Sequence, residues 1–273
     1  MPKQTKLPIV LSLTSGKGGV GKTNMSVNLA YCLSRLGKKT LLLDADLGLA
    51  NVDVILGLNP RFNLFHLFHE NMDLQKIILP TDYGFDILPS ASGVTEMLSL
   101  STGQKLELLE VMDTLENELD YLIVDTGAGI NENVIYFNLA VQERIIILTP
   151  EPTSLTDAYA LIKVLKIQHG IERFRVVVNM AKSQEEAREV FKKLYNACDH
   201  FLSGISLDLS GIVPMDLNVR KGVASQQPFC HYAPNSKASK ALMHTAESMT
   251  KWKPAENLDG NIKFFWKKLL FQE

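Results

Sequence analysis

The chain has 273 residues, of which 46% are hydrophobic and 21% are charged, and its formal net charge is −2. This composition suits a globular protein with a sizeable core, and the slight acidity argues against the basic surface of many nonspecific DNA-binding proteins. No apolar run approaches the roughly 20 residues that a membrane-spanning helix needs, and the N-terminus does not have the pattern of a signal peptide. We therefore expect a protein that is cytoplasmic or peripheral to a membrane.

Seven short apolar runs lie along the chain, and helical patterns separate most of them. The runs are PIVLSLT, KTLLLDAD, FDILPS, DYLIVDT, RIIILTP, FRVVVNM and ISLDLSGIVP. Because they are continuously apolar rather than alternating, they are typical of strands buried on both faces. The sequence predicts an α/β fold with a doubly wound, mostly parallel sheet flanked by helices over residues 1–250. Pro254 and Gly260 then interrupt the pattern, which predicts a linker over 251–260 and a tail helix over 261–273.

A glycine-rich stretch, GKGGVGKT, follows the first predicted strand and precedes a predicted helix. It matches the phosphate-binding pattern GxxxxGK[ST], in which glycines let backbone N–H groups converge on phosphates at a helix N-terminus. Lys22 is then expected on the β and γ phosphates, where it also counts as a catalytic candidate, and Thr23 is expected on Mg²⁺. The predicted nucleotide-binding residues of this loop are Gly16, Gly18, Gly19, Val20, Gly21, Lys22, Thr23 and Asn24.

The same loop carries a second lysine, Lys17, which nucleotide binding does not require. A solvated lysine is the plain interpretation. The stretch KGGVGKT, however, resembles the deviant Walker A form of the MinD/ParA superfamily, whose extra lysine reaches across a dimer interface to the partner's nucleotide. The resemblance implies that ATP and Mg²⁺ are the cofactors, that Lys17 acts catalytically in trans, and that the chain forms an ATP-dependent homodimer.

Acidic residues end two of the predicted strands, Asp44 and Asp46 in LLLDAD and Asp125 in LIVDTGAGI. Ligands of open α/β sheets bind at the carboxyl ends of strands. The resemblance implies that Asp46 orients the attacking water, that Asp44 is a second carboxylate near the metal, and that Asp125 supports Mg²⁺ directly or through water. Asp44 and Asp46 also suit an ordinary turn or helix cap. Hydrolysis is expected to be slow, because part of the positive charge arrives only with the partner.

Two later strand ends carry the residues that are expected around adenine. Asn179 ends the run RVVVN, and Pro214, Met215 and Asp216 follow the last predicted strand. Their place near the base is implied by the resemblance alone. Asparagine is also common in turns, which is the other interpretation of Asn179.

Four segments narrow the resemblance within the superfamily: LLLDADLGLANVDVILGL, DTGAGI, LTPEPTSLTDAYALIK and GIVPMDLNVRKGVASQQPF. In this order, over Leu7 to Thr250, they resemble the FlhG family, also called FleN or YlxH, of MinD-like ATPases that control flagellar number and placement. The resemblance implies flagellar partners, such as FlhF or switch-complex and regulator proteins. Many FlhG proteins carry an N-terminal glutamine motif that stimulates the GTPase FlhF. No such motif precedes the first strand here, so the resemblance does not extend to stimulation of FlhF, and docking of FlhF on the body of the ATPase domain stays open.

The tail sequence GNIKFFWKKLLFQE predicts an amphipathic helix. Its apolar face and flanking lysines are typical of a helix that lies in a membrane interface, and two tails on one dimer would bind an anionic surface more tightly than one. This predicts a peripheral location at the inner face of the cell membrane. Docking of the helix on the chain's own core or on a partner is the alternative. The membrane residues are Ile262, Lys263, Phe265, Trp266, Lys267, Lys268, Leu269 and Leu270.

Other functions of the same fold stay open at this point. A MinD-type regulator of the division site would share the motifs. A ParA-type DNA-partition ATPase would need a basic surface, and no specific nucleic-acid partner is expected from this composition. A carrier of metal clusters would need suitably placed cysteines, whereas Cys32, Cys198 and Cys230 are dispersed and form no CxxC.

Overall fold

A computed structural model of the chain describes residues 8–91, 93–94, 100–115 and 118–252. In this part of the chain one sheet of eight strands forms the centre, with the order β3-β4-β2-β5-β1-β6-β7-β8. Neighbouring strands are parallel except for β3 and β4, which are antiparallel. The strands are β1 (Ile9–Ser15), β2 (Thr40–Ala45), β3 (Leu79–Pro80), β4 (Asp86–Leu88), β5 (Tyr121–Ala128), β6 (Glu143–Leu148), β7 (Arg173–Ala181) and β8 (Ser206–Pro214).

All seven predicted strands are present, as β1, β2 and β4 to β8, and the predicted doubly wound α/β fold is confirmed. The strand that the sequence did not reveal is β3. It has two residues and ends in a proline, so it is too short to show a periodicity and can lie only at the edge of the sheet.

Helices cover both faces of the sheet. Successive residues of a strand point to opposite faces: Leu11 and Leu13 of β1 belong to one buried cluster and Val10 to another. The helices are α1 (Lys22–Arg35), α2 (Val52–Leu56), α3 (Leu64–Glu70), α4 (Leu74–Ile77), α5 (Thr102–Asp113), α6 (Glu132–Leu139), α7 (Pro152–His169), α8 (Gln184–Phe201), α9 (Leu217–Ala224), α10 (Phe229–Tyr232) and α11 (Lys237–Met249). The apolar sides of α1, α2, α10 and α11 pack on one face, and those of α3 to α8 pack on the other.

Strand order places the site. β1 and β6 are neighbours, and the chain continues from β1 to β2 on one side and from β6 to β7 on the other. The connections therefore diverge at the carboxyl ends of these strands, which is where open α/β sheets bind ligands. None of the helices in the described residues is long and apolar enough to cross a bilayer. The predicted tail helix over 261–273, with all its membrane residues, lies outside the described residues, as does most of the predicted linker.

Candidate nucleotide-binding site

The glycine loop joins β1 to α1, and its backbone is shaped for close contact. Gly19 and Gly21 have φ angles of 80° and 87°, in the left-handed region that favours glycine. At Gly21 a side-chain carbon would lie 2.6 Å from Nδ2 of Asn179, so only glycine fits there. Gly21 is also the N-cap of α1 and has no side chain that could accept from the first-turn amides. These amides are therefore available to an anion.

The loop lines a cleft of about 490 Å³ at the carboxyl ends of the central strands. Of the eight predicted loop residues, all except Gly16 line it. Gly16 packs instead against α7, where a side-chain carbon would lie 2.1 Å from the carbonyl oxygen of Asp157. The lining residues are Ser15, Lys17, Gly18, Gly19, Val20, Gly21, Lys22, Thr23, Asn24, Asp46, Asn51, Val54, Ile55, Ala128, Met180 and Val223.

A buried ion pair forms the floor of the site. The Nζ atom of Lys22 lies 3.1 Å from Oδ1 of Asp125, and Ser26 donates to the same oxygen at 2.7 Å. The Lys22 side chain is 7% exposed and that of Asp125 is 0% exposed. Strand pairing brings the two together, because β1 and β5 are neighbours and Leu13 pairs with Asp125. The sequence missed Ser26, which lies one helical turn after Lys22 on α1.

The other oxygen of Asp125, Oδ2, is buried and has no hydrogen-bond partner in the described residues. A buried carboxylate oxygen without a partner costs free energy unless a cation or water reaches it. It therefore fits a role in supporting Mg²⁺. Asp125 contacts the cleft through Lys22 and is not itself a lining residue, whereas Thr23, whose hydroxyl is an oxygen ligand, lines the cleft. Mg²⁺ held there would neutralise charge on the phosphates. Lys22 and the free amides at the start of α1 fit the phosphates themselves.

Asp44 lies beside Asp125, since β2 and β5 pair the two residues in register. Its carboxylate accepts from three backbone amides of the following loop, those of Asp46 at 3.1 Å, Asn51 at 3.0 Å and Val52 at 3.1 Å. Burial, with the nearby charge of Asp125, raises the pKa of Asp44 to about 7. In this structure Asp44 thus holds the loop that carries Asp46, and its place near a metal stays a prediction.

Asp46 is half-buried and lines the cleft. Burial raises its pKa, the Lys22 ammonium opposes the rise, and Asp125 adds to it. A side-chain carbon on Gly127 would lie 3.5 Å from Oδ1 of Asp46, so this carboxylate faces the glycine stretch that ends β5. The position agrees with the predicted role in orienting water, which stays a prediction.

Lys17 has partners that the sequence did not indicate. Its Nζ atom lies 2.7 Å from Oε2 of Glu151 and 2.9 Å from Oγ1 of Thr153, at the start of α7. The side chains of Lys17 and Glu151 are 37% and 61% exposed, so the pair is at the surface. Lys17 is therefore at the rim of the cleft and is held by α7.

The four residues predicted around adenine bond within the protein. Asn179 donates to the carbonyl of Val20 at 2.8 Å and so braces the glycine loop. The carboxylate of Asp216 caps α9 and also accepts from the Ala238 amide at 3.2 Å. Burial would raise the pKa of Asp216, but these hydrogen bonds outweigh burial and lower the pKa. Neither residue lines the cleft, and neither do Pro214 and Met215. Their contact with a base stays a prediction.

Seven residues that line the cleft were missed by the sequence interpretation, and two of them, Ser15 and Ala128, end β1 and β5. Asn51, Val54 and Ile55 come from α2 and the turn before it, within a segment whose aspartates had drawn attention first. Met180 directly follows Asn179 and has a positive φ of 58°, which no sequence pattern indicates. Val223 comes from α9 and reaches the cleft only through the packing of the whole domain.

Comparison with known proteins agrees with this geometry. Residues 6–250 match the ParA family described as NUBPL iron-transfer P-loop NTPase; the three cysteines of this chain are free thiols buried in the interior. The antiactivator FleN of Pseudomonas aeruginosa is 45% identical over 261 residues, which is 96% of this chain and 93% of that protein. The flagellum site-determining protein YlxH of Helicobacter pylori is 32% identical, over 95% and 89% of the two chains.

Among solved structures, the septum site-determining protein MinD of Pyrococcus horikoshii, complexed with Mg-ADP, superposes with a TM-score of 0.75. It is 27% identical and the match covers 90% of this chain and 97% of that one. P-loop proteins of this family hydrolyse ATP with Mg²⁺, and the cleft described above carries the residues for it. The chain belongs to the FlhG (FleN/YlxH) branch of the MinD/ParA family of P-loop ATPases.

Proposed function

We propose that this ATPase is a switch that dimerises on ATP and controls flagellar number or placement through reversible contact with the membrane and with flagellar proteins. The observation that carries the proposal is the position of Lys17. It belongs to the phosphate-binding loop, yet its ammonium contacts Glu151 and Thr153 at the rim instead of Asp125 on the floor. A lysine at the rim is placed to add positive charge to the nucleotide of a facing copy, as an arginine finger does.

Exposed apolar side chains at the same end of the sheet support the homodimer. They lie in the segments that follow β2, β5 and β8, and large apolar side chains that are exposed together at one end of a sheet are typical of an interface. A second copy facing the cleft would cover them. They are Leu49 (71% exposed), Val54 (57%), Ile130 (52%), Met215 (63%) and Leu217 (72%).

The flagellar role is supported by the relatives named FleN and YlxH. Flagellar factors, such as FlhF or switch-complex and regulator proteins, are accordingly the proposed partners. Membrane contact is assigned to the tail over 261–273. Trp252, the last described residue before the tail, lies at the other end of the domain from the cleft, where the Arg175 guanidinium lies 3.6 Å from its ring centre, near the amino ends of β6 and β7.

The dimer is tested by measuring the molar mass of the wild type and of Lys17→Ala in solution, with Mg²⁺ and either ADP or a non-hydrolysable ATP analogue. We expect a dimer only for the wild type with the ATP analogue. Lys17→Ala should still bind the nucleotide and stay folded, because an exposed ion pair contributes only about 0.2–1 kcal/mol. Lys166→Ala is the matched control, since Lys166 also forms an exposed ion pair, with Glu172 at 2.6 Å. A normal dimer in Lys17→Ala would contradict the proposal.

Membrane contact is tested by co-sedimentation with anionic liposomes in Mg·ATP and, separately, in Mg·ADP. The full chain should sediment with liposomes in ATP only, and a chain ending at residue 260 should stay in the supernatant. Binding that ignores the nucleotide would mean that the tail is a constitutive anchor. No binding at all would leave the tail as a docking element and remove the membrane from the proposed cycle.

A further inference from the structure

Behind the cleft, a row of buried polar side chains connects α6 with the end of β5. Asn138 of α6, Ser12 and Thr14 of β1, and Thr126 of β5 all have 0% exposure. Ser12 donates to Oδ1 of Asn138 at 2.9 Å, and Nδ2 of Asn138 donates to Oγ1 of Thr14 at 3.1 Å. The hydroxyls of Thr14 and Thr126 are 3.1 Å apart. Each side chain in the row therefore has a polar partner within the row.

The end of the row is backbone of the cleft. The Thr126 hydroxyl lies 2.9 Å from the carbonyl oxygen of Gly127 and 3.1 Å from that of Leu13. An amide nitrogen can only donate, so Asn138 supplies a proton to the Thr14 oxygen and leaves the Thr14 hydroxyl proton free for Thr126. Thr126 can then give its own proton to the carbonyl of Gly127. Hydrogen bonds that run in one direction strengthen one another in a buried site.

Gly127 lies next to the carboxylate that is expected to orient the attacking water. Its α-carbon faces the Asp46 carboxylate, and the next residue, Ala128, lines the cleft. The carbonyl of Gly127 and the N–H of Ala128 belong to one planar peptide unit. A hydrogen bond that holds the carbonyl therefore also sets the direction of the N–H of Ala128, a residue that lines the cleft.

We infer that Asn138 is a positioning residue for ATP hydrolysis, which acts through Thr14 and Thr126 to orient the Gly127–Ala128 peptide. A purely structural row would behave differently. Removing one partner of a buried hydrogen bond in such a row would lower the thermal midpoint and leave the hydrolysis rate of the folded protein unchanged. Catalysis is more sensitive, because small displacements of groups at the reacting centre cost large factors in rate. The inference rests on hydrolysis in this cleft and not on the flagellar or membrane roles.

The test compares Thr126→Val, which keeps the shape and removes the hydroxyl, with Thr126→Ser, which keeps the hydroxyl. Single-turnover hydrolysis, the affinity for ATP, the dimer fraction and the thermal midpoint are measured for each full-length variant. Thr126→Val should lower the hydrolysis rate roughly tenfold or more, with ATP affinity within about twofold of wild type. Thr126→Ser should restore the rate to within about threefold. Thr245→Val is the matched control, because it removes a buried hydroxyl from α11, where Thr245 bonds to Ala241 at 3.0 Å.

A second comparison tests the row itself. Asn138→Leu should lower the rate as Thr126→Val does, and the double variant should be no slower than the slower single variant, because both substitutions break one chain. Independent losses that multiply would overturn the inference, as would a normal rate in Thr126→Val or an equal loss in Thr126→Ser. A wild type without hydrolysis in the same assay would instead contradict the ATPase assignment, so the two failures are distinguishable.

Discussion

The buried pair of Lys22 and Asp125 leads to a prediction about the nucleotide-free protein. Lys22→Met keeps most of the side-chain volume and removes the positive charge. Asp125 is then left with a negative charge at 0% exposure, and the Ser26 hydroxyl is the one donor that still reaches its Oδ1 among the described residues. Asp125→Asn has the converse effect, since the Lys22 ammonium loses its counter-charge. Both single variants are expected to unfold more easily than the wild type.

The magnitude follows from the geometry. At the 3.1 Å that separates Nζ from Oδ1, two unit charges attract by about 5 kcal/mol at an effective dielectric constant of about 20. Removing one partner of a buried pair typically costs about 3–5 kcal/mol. This is a large part of the roughly 5–15 kcal/mol by which a domain is stable. The double variant removes both charges, so we expect it to recover at least about 2 kcal/mol relative to the sum of the single losses.

Urea denaturation without nucleotide, with EDTA to exclude Mg²⁺, measures the free energy of unfolding of the four proteins. Nucleotide must be absent, because a ligand that binds the folded state would add stability to the wild type alone. Losses below about 1 kcal/mol in both single variants would refute the reasoning, because they would mean that water already reaches the pair. Strictly additive losses would show that the two charges do not interact.

Three further results are expected. Gly21→Ala should destabilise the protein by about 1–2 kcal/mol and weaken ATP binding, because the φ of Gly21 is 87° and Asn179 blocks the new carbon. Thermal unfolding measures the first effect and titration with a fluorescent nucleotide measures the second. Full affinity for ATP would contradict the loop geometry. Asp46→Ala should bind ATP normally and accumulate as a dimer on ATP, and rapid turnover by a monomeric variant would rule out its assigned role. Finally, the thiols should react with a disulfide reagent at pH 8 only after unfolding, because all three are buried and burial raises the pKa of Cys198 to about 11; rapid reaction of the folded protein would show that the interior opens.

The local sequence determined the phosphate loop and most of the sheet. Gly19, Gly21 and Lys22 act through backbone shape and helix position, which depend on neighbours in the chain, so the motif could be identified without the structure. The strands were predictable because burial on both faces requires continuous apolar runs. Asp125 followed from the same reasoning, as the polar end of such a run.

Only the tertiary structure decided how the polar groups pair. Lys17 meets Glu151, which is 134 residues away along the chain, and Asn138 meets Thr14 at a separation of 124 residues. Asp44 lies beside Asp125 because β2 pairs with β5, and Met180 reaches the cleft at an irregularity within β7. Contacts of this kind depend on strand order and helix packing, which arise from the summed burial of the whole core. No local periodicity encodes them, so the sequence predicted most of the phosphate loop and Asp46 at the cleft, but neither the lining residues from α2, β7 and α9 nor the bonds that the polar groups form.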